Sequence, residues 1–413
     1  MWFSDVLGLL VALALVVLTG AAVVRGERRR ALRLLLVIGL VLRVVGSLVY
    51  FGLLETAYGG GDYDRYLSEA TEVVESIEDP GRENRSVADR YGGRWWGTPS
   101  VSILTSWIMR VLGTSPAPIF VMYGLLSFLA AVSFLYAFRN AFPEIDPKNY
   151  ALWLMLFPSL WFWPSPVGKD APVLLGIGLA FLGVLGSRGR RNYMWVALGA
   201  AITLVVRPQY ALVFVAAALG GLVLGRQSAS RGGVAKATAI AVFVVGAVYV
   251  VSVSADFLGF DVLQTQDTAD WIGRRGEVTA YGSSAFEAAR NPLTGVFNVL
   301  FRPFPWEATG VFVLMSSIEV SVLWILLYRR RRAIALFLRR YRKTEAFWIS
   351  LLFTLALAAA AGMAVGNFGT LVRQRVHLYP FLFLITASIP ARRIVRRRGI
   401  ARVVAGPPSP ISA

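Results

Sequence analysis

Residues 31–67 read ALRLLLVIGLVLRVVGSLVYFGLLETAYGGGDYDRYL. The first part, 31–54, carries two charges only, Arg33 and Arg43, and no periodic polar face. A run of about 20 apolar residues at 1.5 Å rise crosses the hydrocarbon layer of a bilayer, so this stretch reads as a membrane-spanning helix. It then breaks at three glycines, 59–61, and turns into the acidic segment DYDRYL. Glycine permits the tight turn, and Asp62 and Asp64 would open a following helix, where backbone N–H groups favour negative charge.

Working outward, the same signature recurs along the chain of 413 residues, which is 56% hydrophobic and 16% charged. An average soluble domain is about 25% charged. Apolar runs fall at roughly 6–25, 31–54, 117–138, 149–164, 170–187, 192–206, 210–225, 234–252, 306–328, 346–365 and 375–391. The expected fold is therefore an all-α, polytopic helical membrane protein of about 11 transmembrane helices, with residues 1–391 forming a single transmembrane domain. With no cysteine and one histidine, His377, thiolate and multi-histidine metal sites are excluded. The formal net charge of +18 does not indicate nucleic acid as partner. Its arginines sit in short connections, where retained positive charge sets membrane orientation.

Those connections sort by charge. Arg25 with Arg28 to Arg30, Arg188 with Arg190 and Arg191, Arg226 with Arg231, Arg329 to Lys343, and the basic tail 392–413 fall on one side if the chain crosses eleven times. That side is expected to be cytoplasmic. The segment 99–113 must then lie in the interface as an amphipathic helix, which Trp107 and Arg110 among Ile103, Leu104, Ile108 and Val111 would suit. Two long loops, 56–116 and 253–305, face outward from the cytoplasmic membrane. The first holds Asp62, Asp64, Glu69, Glu72, Glu75, Glu78, Asp79, Glu83 and Asp89, and the aromatic-glycine stretch YGGRWWGTPS.

Cations break the inward bias at several outward helix ends. WPSPVGKDAPV (163–173) presents Lys169 and Asp170, and VVRPQY (205–210) presents Arg207. GNFGTLVRQRVHLYP (366–380) carries Arg373, Arg375 and His377, and NVLFRPFPWE (298–307) adds Arg302 and Glu307. The stretch around Lys169 is no P-loop, since Trp163 stands where a glycine is required and Asp170 replaces the Ser/Thr. Arginine binds phosphate through a planar fork and stays charged at any relevant pH. A helix-phase argument separates Arg373 from Arg375 by about 200°, so one of them should face a cavity squarely, and Arg375 is the expected one. Arg43, halfway along its span, should face the bundle interior in a structural ion pair.

A paired-acid D-x-D motif opening the first large outward loop of a many-helix membrane protein resembles the GT-C superfamily of integral-membrane glycosyltransferases. GGDYDRY is closest in kind to its mannosyltransferase branches. GKDA, RPFPWE and NxGTxxRQR resemble stretches of bacterial envelope-polysaccharide proteins. The resemblance implies that Asp62 or Asp64 is the catalytic base and that the donor is a sugar on a polyprenyl phosphate. It implies transfer, in an inverting displacement, to a glycan or lipid-linked acceptor at the extracytoplasmic face. Lys169, Arg207, Arg373 and Arg375 would bind the donor phosphate, with Asp170, Arg302, Glu307 and His377 as further members of the site. A divalent cation, Mg or Mn, would sit on Asp62 and Asp64 if the enzyme used one. The alternatives are an enzyme resembling O-antigen polymerases or ligases, acting on lipid-pyrophosphate glycans, and a flippase or transporter of lipid-linked sugars.

Overall fold

The computed structural model describes residues 2–58, 61–78, 87–186, 191–225, 241 and 285–386. The expected span 234–252, most of the second outward loop, the cluster at 226–231 and the tail 392–413 lie outside the described residues.

The described residues form helices joined by loops, with a single bridge between Ala285 and Asn367. Its helices are α1 (Trp2–Arg25), α2 (Arg30–Leu53), α3 (Asp62–Glu78), α4 (Val87–Arg90), α5 (Thr98–Leu112), α6 (Pro116–Ala141), α7 (Lys148–Leu156) and α8 (Pro158–Phe162). There follow α9 (Asp170–Leu185), α10 (Tyr193–Val206), α11 (Pro208–Leu224) and α12 (Pro292–Phe301). The last five are α13 (Val311–Arg329), α14 (Arg331–Tyr341), α15 (Glu345–Ala364), α16 (Phe368–Arg375) and α17 (Tyr379–Thr386). Five stretches, Val6–Arg25, Arg30–Thr56, Pro116–Ala141, Val311–Arg329 and Glu345–Ala364, are long and apolar enough to cross a membrane. They are consistent with a multi-pass membrane protein.

Local chemistry sets the helix starts. Pro99, Pro116, Pro158, Pro208 and Pro292 occupy first turns, where the missing N–H has no partner to lose. Asn192, Asn291, Thr344 and Asn367 cap their helices through side-chain oxygens. Helix α9 lies between α6 and α10, and at its α10 face a Cβ on Gly199 would collide with the backbone of Gly176 and Ala180. Such close approach is how helices associate where lipid, as apolar as leucine, gives no hydrophobic drive. Phe134, Phe181, Phe353 and Phe381 fill the centre, while Leu10, Val17, Leu18, Leu34 and Val41 stay exposed on α1 and α2, as lipid-facing side chains would.

Ion pairs gather at the two ends of the bundle. At one, Arg29 pairs with Asp146 at 3.2 Å, Arg139 with Glu27 at 2.6 Å and Arg191 with Glu345 at 2.8 Å, tying the basic connections together. At the other, the α2–α3, α8–α9, α10–α11 and α15–α16 connections meet through Asp62, Asp170, Arg207 and Arg373.

Two segments differ from their sequence reading. The run 149–164 is broken between α7 and α8, because Pro158 has no N–H to give the carbonyl of Leu154. Arg43 supplies the donor: its Nη2 reaches Leu154 O at 3.0 Å and Leu160 O at 3.4 Å, and its other nitrogens reach Gly39 O at 2.9 Å and Ser127 Oγ at 3.2 Å. Carbonyls and a hydroxyl therefore hold the buried guanidinium, in place of the ion pair expected for it. The last run, 375–391, starts instead as α16 and turns at Val376–Leu378 before α17. Helix α5 buries the small stripe Ser102, Thr105, Ser106 and Met109 and leaves Trp107 and Val111 outside. Two of its hydroxyls bond back to the helix, Thr105 to Val101 O at 2.7 Å and Ser106 to Ile103 O at 2.7 Å, while Ser102 reaches Glu69 of α3.

A first prediction follows from Arg43. Each buried acceptor left without a donor costs about 1–3 kcal/mol, so Arg43→Leu should destabilise the protein by about 3 kcal/mol or more. Thermal unfolding in detergent reads this out; an unchanged midpoint would show that Arg43 does not brace the α7–α8 break.

Candidate functional site

Helix α3 begins at Asp62, and the two carboxylates of DYD diverge there. Asp64 folds back and its Oδ2 accepts the Gly61 N–H at 2.7 Å, a helix-start bond. Tyr63, between them, is buried and donates to Glu55 Oε1 at 2.7 Å, which fixes the rotation of the helix. Asp62 is left 73% exposed and faces Arg373, with Nη1 to Oδ2 at 3.5 Å. Pointing apart, each with a partner of its own, Asp62 and Asp64 do not form a chelating pair, and no group of three or more His, Cys, Asp or Glu gathers elsewhere among the described residues.

Asp62 and Arg373 line one cavity of about 620 Å³, together with Tyr50, Trp163, Asn367 and Thr370. Behind Arg373 lies Asp170, the first residue of α9, only 3% exposed. Its Oδ2 takes Arg373 at 3.2 Å and its Oδ1 takes Arg207 at 3.0 Å. Arg207 also donates to Tyr210 Oη at 3.1 Å and lies 5.1 Å from that ring's centre. His377 is fully buried, its Nε2 3.9 Å from Asp170 and its Nδ1 3.2 Å from the Gln374 carbonyl. The carboxylate thus orients both guanidinium groups, and its charge pushes Arg373 well above the usual arginine range. Lys169 turns the other way, donating to Thr98 Oγ1 at 2.9 Å.

Of the residues singled out in the sequence, Asp62, Asp170, Lys169, Arg207, Arg373 and His377 therefore come together. Arg375 does not. The half-turn between the two arginines of α16 holds, but Arg373 faces the cavity and Arg375 points away, 1% exposed, with Nη2 bonded to the carbonyl of Arg302. Arg302 and Glu307 close on each other, Nε to Oε1 at 2.8 Å, and Arg302 lies 4.9 Å and 5.0 Å from the rings of Phe286 and Phe368. These three residues clasp the loop before α13 and do not line the cavity.

Sequence reasoning passed over a second cavity. An apolar groove of about 750 Å³ runs along α2, α7–α8 and α13, past Val49, Leu152, Trp161, Met315 and Val322. It shares Leu53, Trp163 and Phe312 with the cavity of Asp62 and Arg373, so the two adjoin. Glu319 lies on its wall, accepting the Ser159 N–H at 2.8 Å. Pro158 was the sequence signal, since the broken helix opens this wall.

Arranged so, the site can hold an anion beside a carboxylate that is itself accessible. Net charge is +1 when His377 is neutral: three cations (Lys169, Arg207, Arg373) less two carboxylates (Asp62, Asp170).

Burial, with Arg207 and Arg65 nearby, pushes Lys169 down to about 8. Its charge is complete below about pH 7 and is lost through pH 8, so affinity for an alkyl phosphate should weaken between pH 7 and 9. Stability moves the other way: with the folded value below the unfolded one of about 10.4, folding gains as pH rises through 8. In Lys169→Arg the charge persists and the affinity step should vanish; a parent protein with no step near pH 8 would contradict this.

No protein-family model, curated protein or solved structure matches the chain.

Proposed function

We propose that the protein is a membrane glycosyltransferase of GT-C type, moving a sugar from a polyprenyl-phosphate donor to an acceptor at the extracytoplasmic face. One observation carries the reading: the cavity of Asp62 and Arg373 adjoins an apolar groove, with Leu53, Trp163 and Phe312 lining both. That pairing suits a ligand with a charged head and a long hydrocarbon tail. In this reading the bundle crosses the membrane eleven times, with the cavity end outward.

Arg373 holds the donor phosphate through its planar fork. Asp170 keeps that fork in place, and Arg207 and Lys169 add positive field behind it. Asp62 accepts the proton of the acceptor hydroxyl while that oxygen attacks the anomeric carbon. The bond between the anomeric carbon and the phosphate oxygen breaks, and the lipid phosphate leaves as an anion facing the fixed cations. No step is routed through a metal, because the Asp62 and Asp64 carboxylates do not converge.

The flippase reading asks for charged residues along a path through the bundle, and Arg43 is spent on backbone carbonyls. A polymerase or ligase would release lipid pyrophosphate, whereas this reading releases lipid monophosphate. The test is to give the purified protein, in nanodiscs, hexosyl- and pentosyl-polyprenyl phosphates with an extract of envelope glycans. Release of polyprenyl phosphate with sugar transfer is expected; inert monophosphate donors, beside release of polyprenyl pyrophosphate from lipid-pyrophosphate glycans supplied in parallel, would overturn the reading.

A further inference from the structure

A second polar cavity, of about 380 Å³, lies in the loop between α4 and α5, lined by Arg90, Tyr91, Arg94, Trp96 and Thr98. It is built, not incidental. Tyr91 Oη donates to Glu69 Oε1 at 2.7 Å, and Ser102 Oγ donates to Glu69 Oε2 at 2.6 Å, so this side is anchored to both α3 and α5. The far end is pinned by Gly97 N–H to Val205 O at 2.7 Å, beside Arg207. Gly92, Gly93 and Gly97 all have positive φ, a backbone course that glycine adopts at no steric cost.

Three features of the lining ask for an anionic, hydroxyl-rich ligand. Arg94 bonds to no carboxylate among the described residues, while Arg90 is held by Glu72. The indole Nε1 of Trp96 is buried with no acceptor among the described residues, and a buried donor without a partner is the exception in folded proteins. Beneath them Thr98 takes Lys169, which brings a further positive charge to the floor. The carboxylates nearby are occupied: Glu69 is 3% exposed among Tyr91, Ser102 and Arg65, and Glu72 is on Arg90. Aromatic rings beside guanidinium groups suit a sugar ring carrying a negative group.

The chain Thr98–Lys169–Asp170–Arg373 links this cavity to that of Asp62. We infer that the α4–α5 loop is a binding site for a sugar bearing a carboxylate or phosphate, and that it holds the acceptor glycan. Only the word acceptor rests on the proposed transferase activity; binding of an acidic sugar does not.

The experiment is calorimetric binding of tetragalacturonate and, as the neutral match, maltotetraose to the full chain in nanodiscs. Tetragalacturonate should bind at least about tenfold more tightly. Arg94→Gln should remove most of that difference, and Trp96→Phe, which keeps a ring and deletes the N–H, should weaken tetragalacturonate several-fold. Asp62→Asn should leave binding unchanged, so that loss of transfer and loss of this site are told apart. Competition by galacturonate or by glucose 6-phosphate then assigns the group as carboxylate or phosphate. Equal binding of the charged and neutral oligosaccharides, or an Arg94→Gln protein that binds like the parent, would overturn the inference.

Discussion

Asp62→Asn should lower sugar transfer by about 10²–10⁴-fold, the usual cost of removing a general base, while the protein folds and binds donor. The substitution keeps the size of the side chain and removes only its ability to take a proton. Among the described residues Asp62 has no bond to lose besides the 3.5 Å contact with Arg373, so the substitution should not disturb α3. The matched control is Asp64→Asn. Asparagine caps a helix about as well as aspartate, and Asp64 serves the Gly61 N–H, so that variant should retain transfer within a few-fold. Single-turnover rates with saturating donor separate the two. A slow Asp64→Asn enzyme beside a normal Asp62→Asn enzyme would exchange their roles and remove the basis for the cavity assignment.

Asp170→Asn should have the largest effect on the folded state. Its carboxylate is the shared counter-charge of Arg207 and Arg373, buried at 3% exposure. Removing one partner of a buried charge network typically costs about 3–5 kcal/mol, because the remaining charges stay buried and uncompensated. Apparent unfolding midpoints in detergent should fall accordingly, and donor binding should be lost as Arg373 swings free. If the single variant cannot be purified, Asp170→Asn with Arg207→Gln keeps the question open to measurement. Losing acid and base together should cost less than the sum of the single changes, since contacting groups couple by about 0.5–3 kcal/mol. Strict additivity would mean that Asp170 does not hold Arg207.

How far the sequence reached depends on what each signal encodes. The apolar runs and the Arg-rich turns are local, and charge bias alone sorted the connections that meet at the two ends of the bundle. The Asp62–Arg373 neighbourhood was also within reach, since cations that break the inward bias complement the acids of the first outward loop. Helix phase split Arg373 from Arg375, but the expectation that Arg375 faces the cavity is reversed: Arg373 does. That choice belongs to the docking of α16, whose start is fixed by Asn367 and whose Arg375 reaches the loop carbonyl of Arg302. Asp170 looked like a neighbour of Lys169 in sequence; its role as clamp depends on Arg207 and Arg373, residues far along the chain, and only packing reveals it. The rung of carbonyls on Arg43 was hidden for the same reason, although Pro158 announced a missing donor.

The central claim, a lipid phosphate with its head at Arg373 and its tail in the groove of α2, α8 and α13, is tested most directly by photolabelling. A polyprenyl phosphate with a photoreactive group in its first isoprene units is bound in nanodiscs, and the crosslinked residues are mapped. The account predicts labels on Trp161, Met315 and Val322, lost on competition with unlabelled polyprenyl phosphate and weakened in Arg373→Lys, where no fork remains. Labels spread over the exposed faces of α1, at Leu10 and Leu18, and indifferent to Arg373, would contradict it.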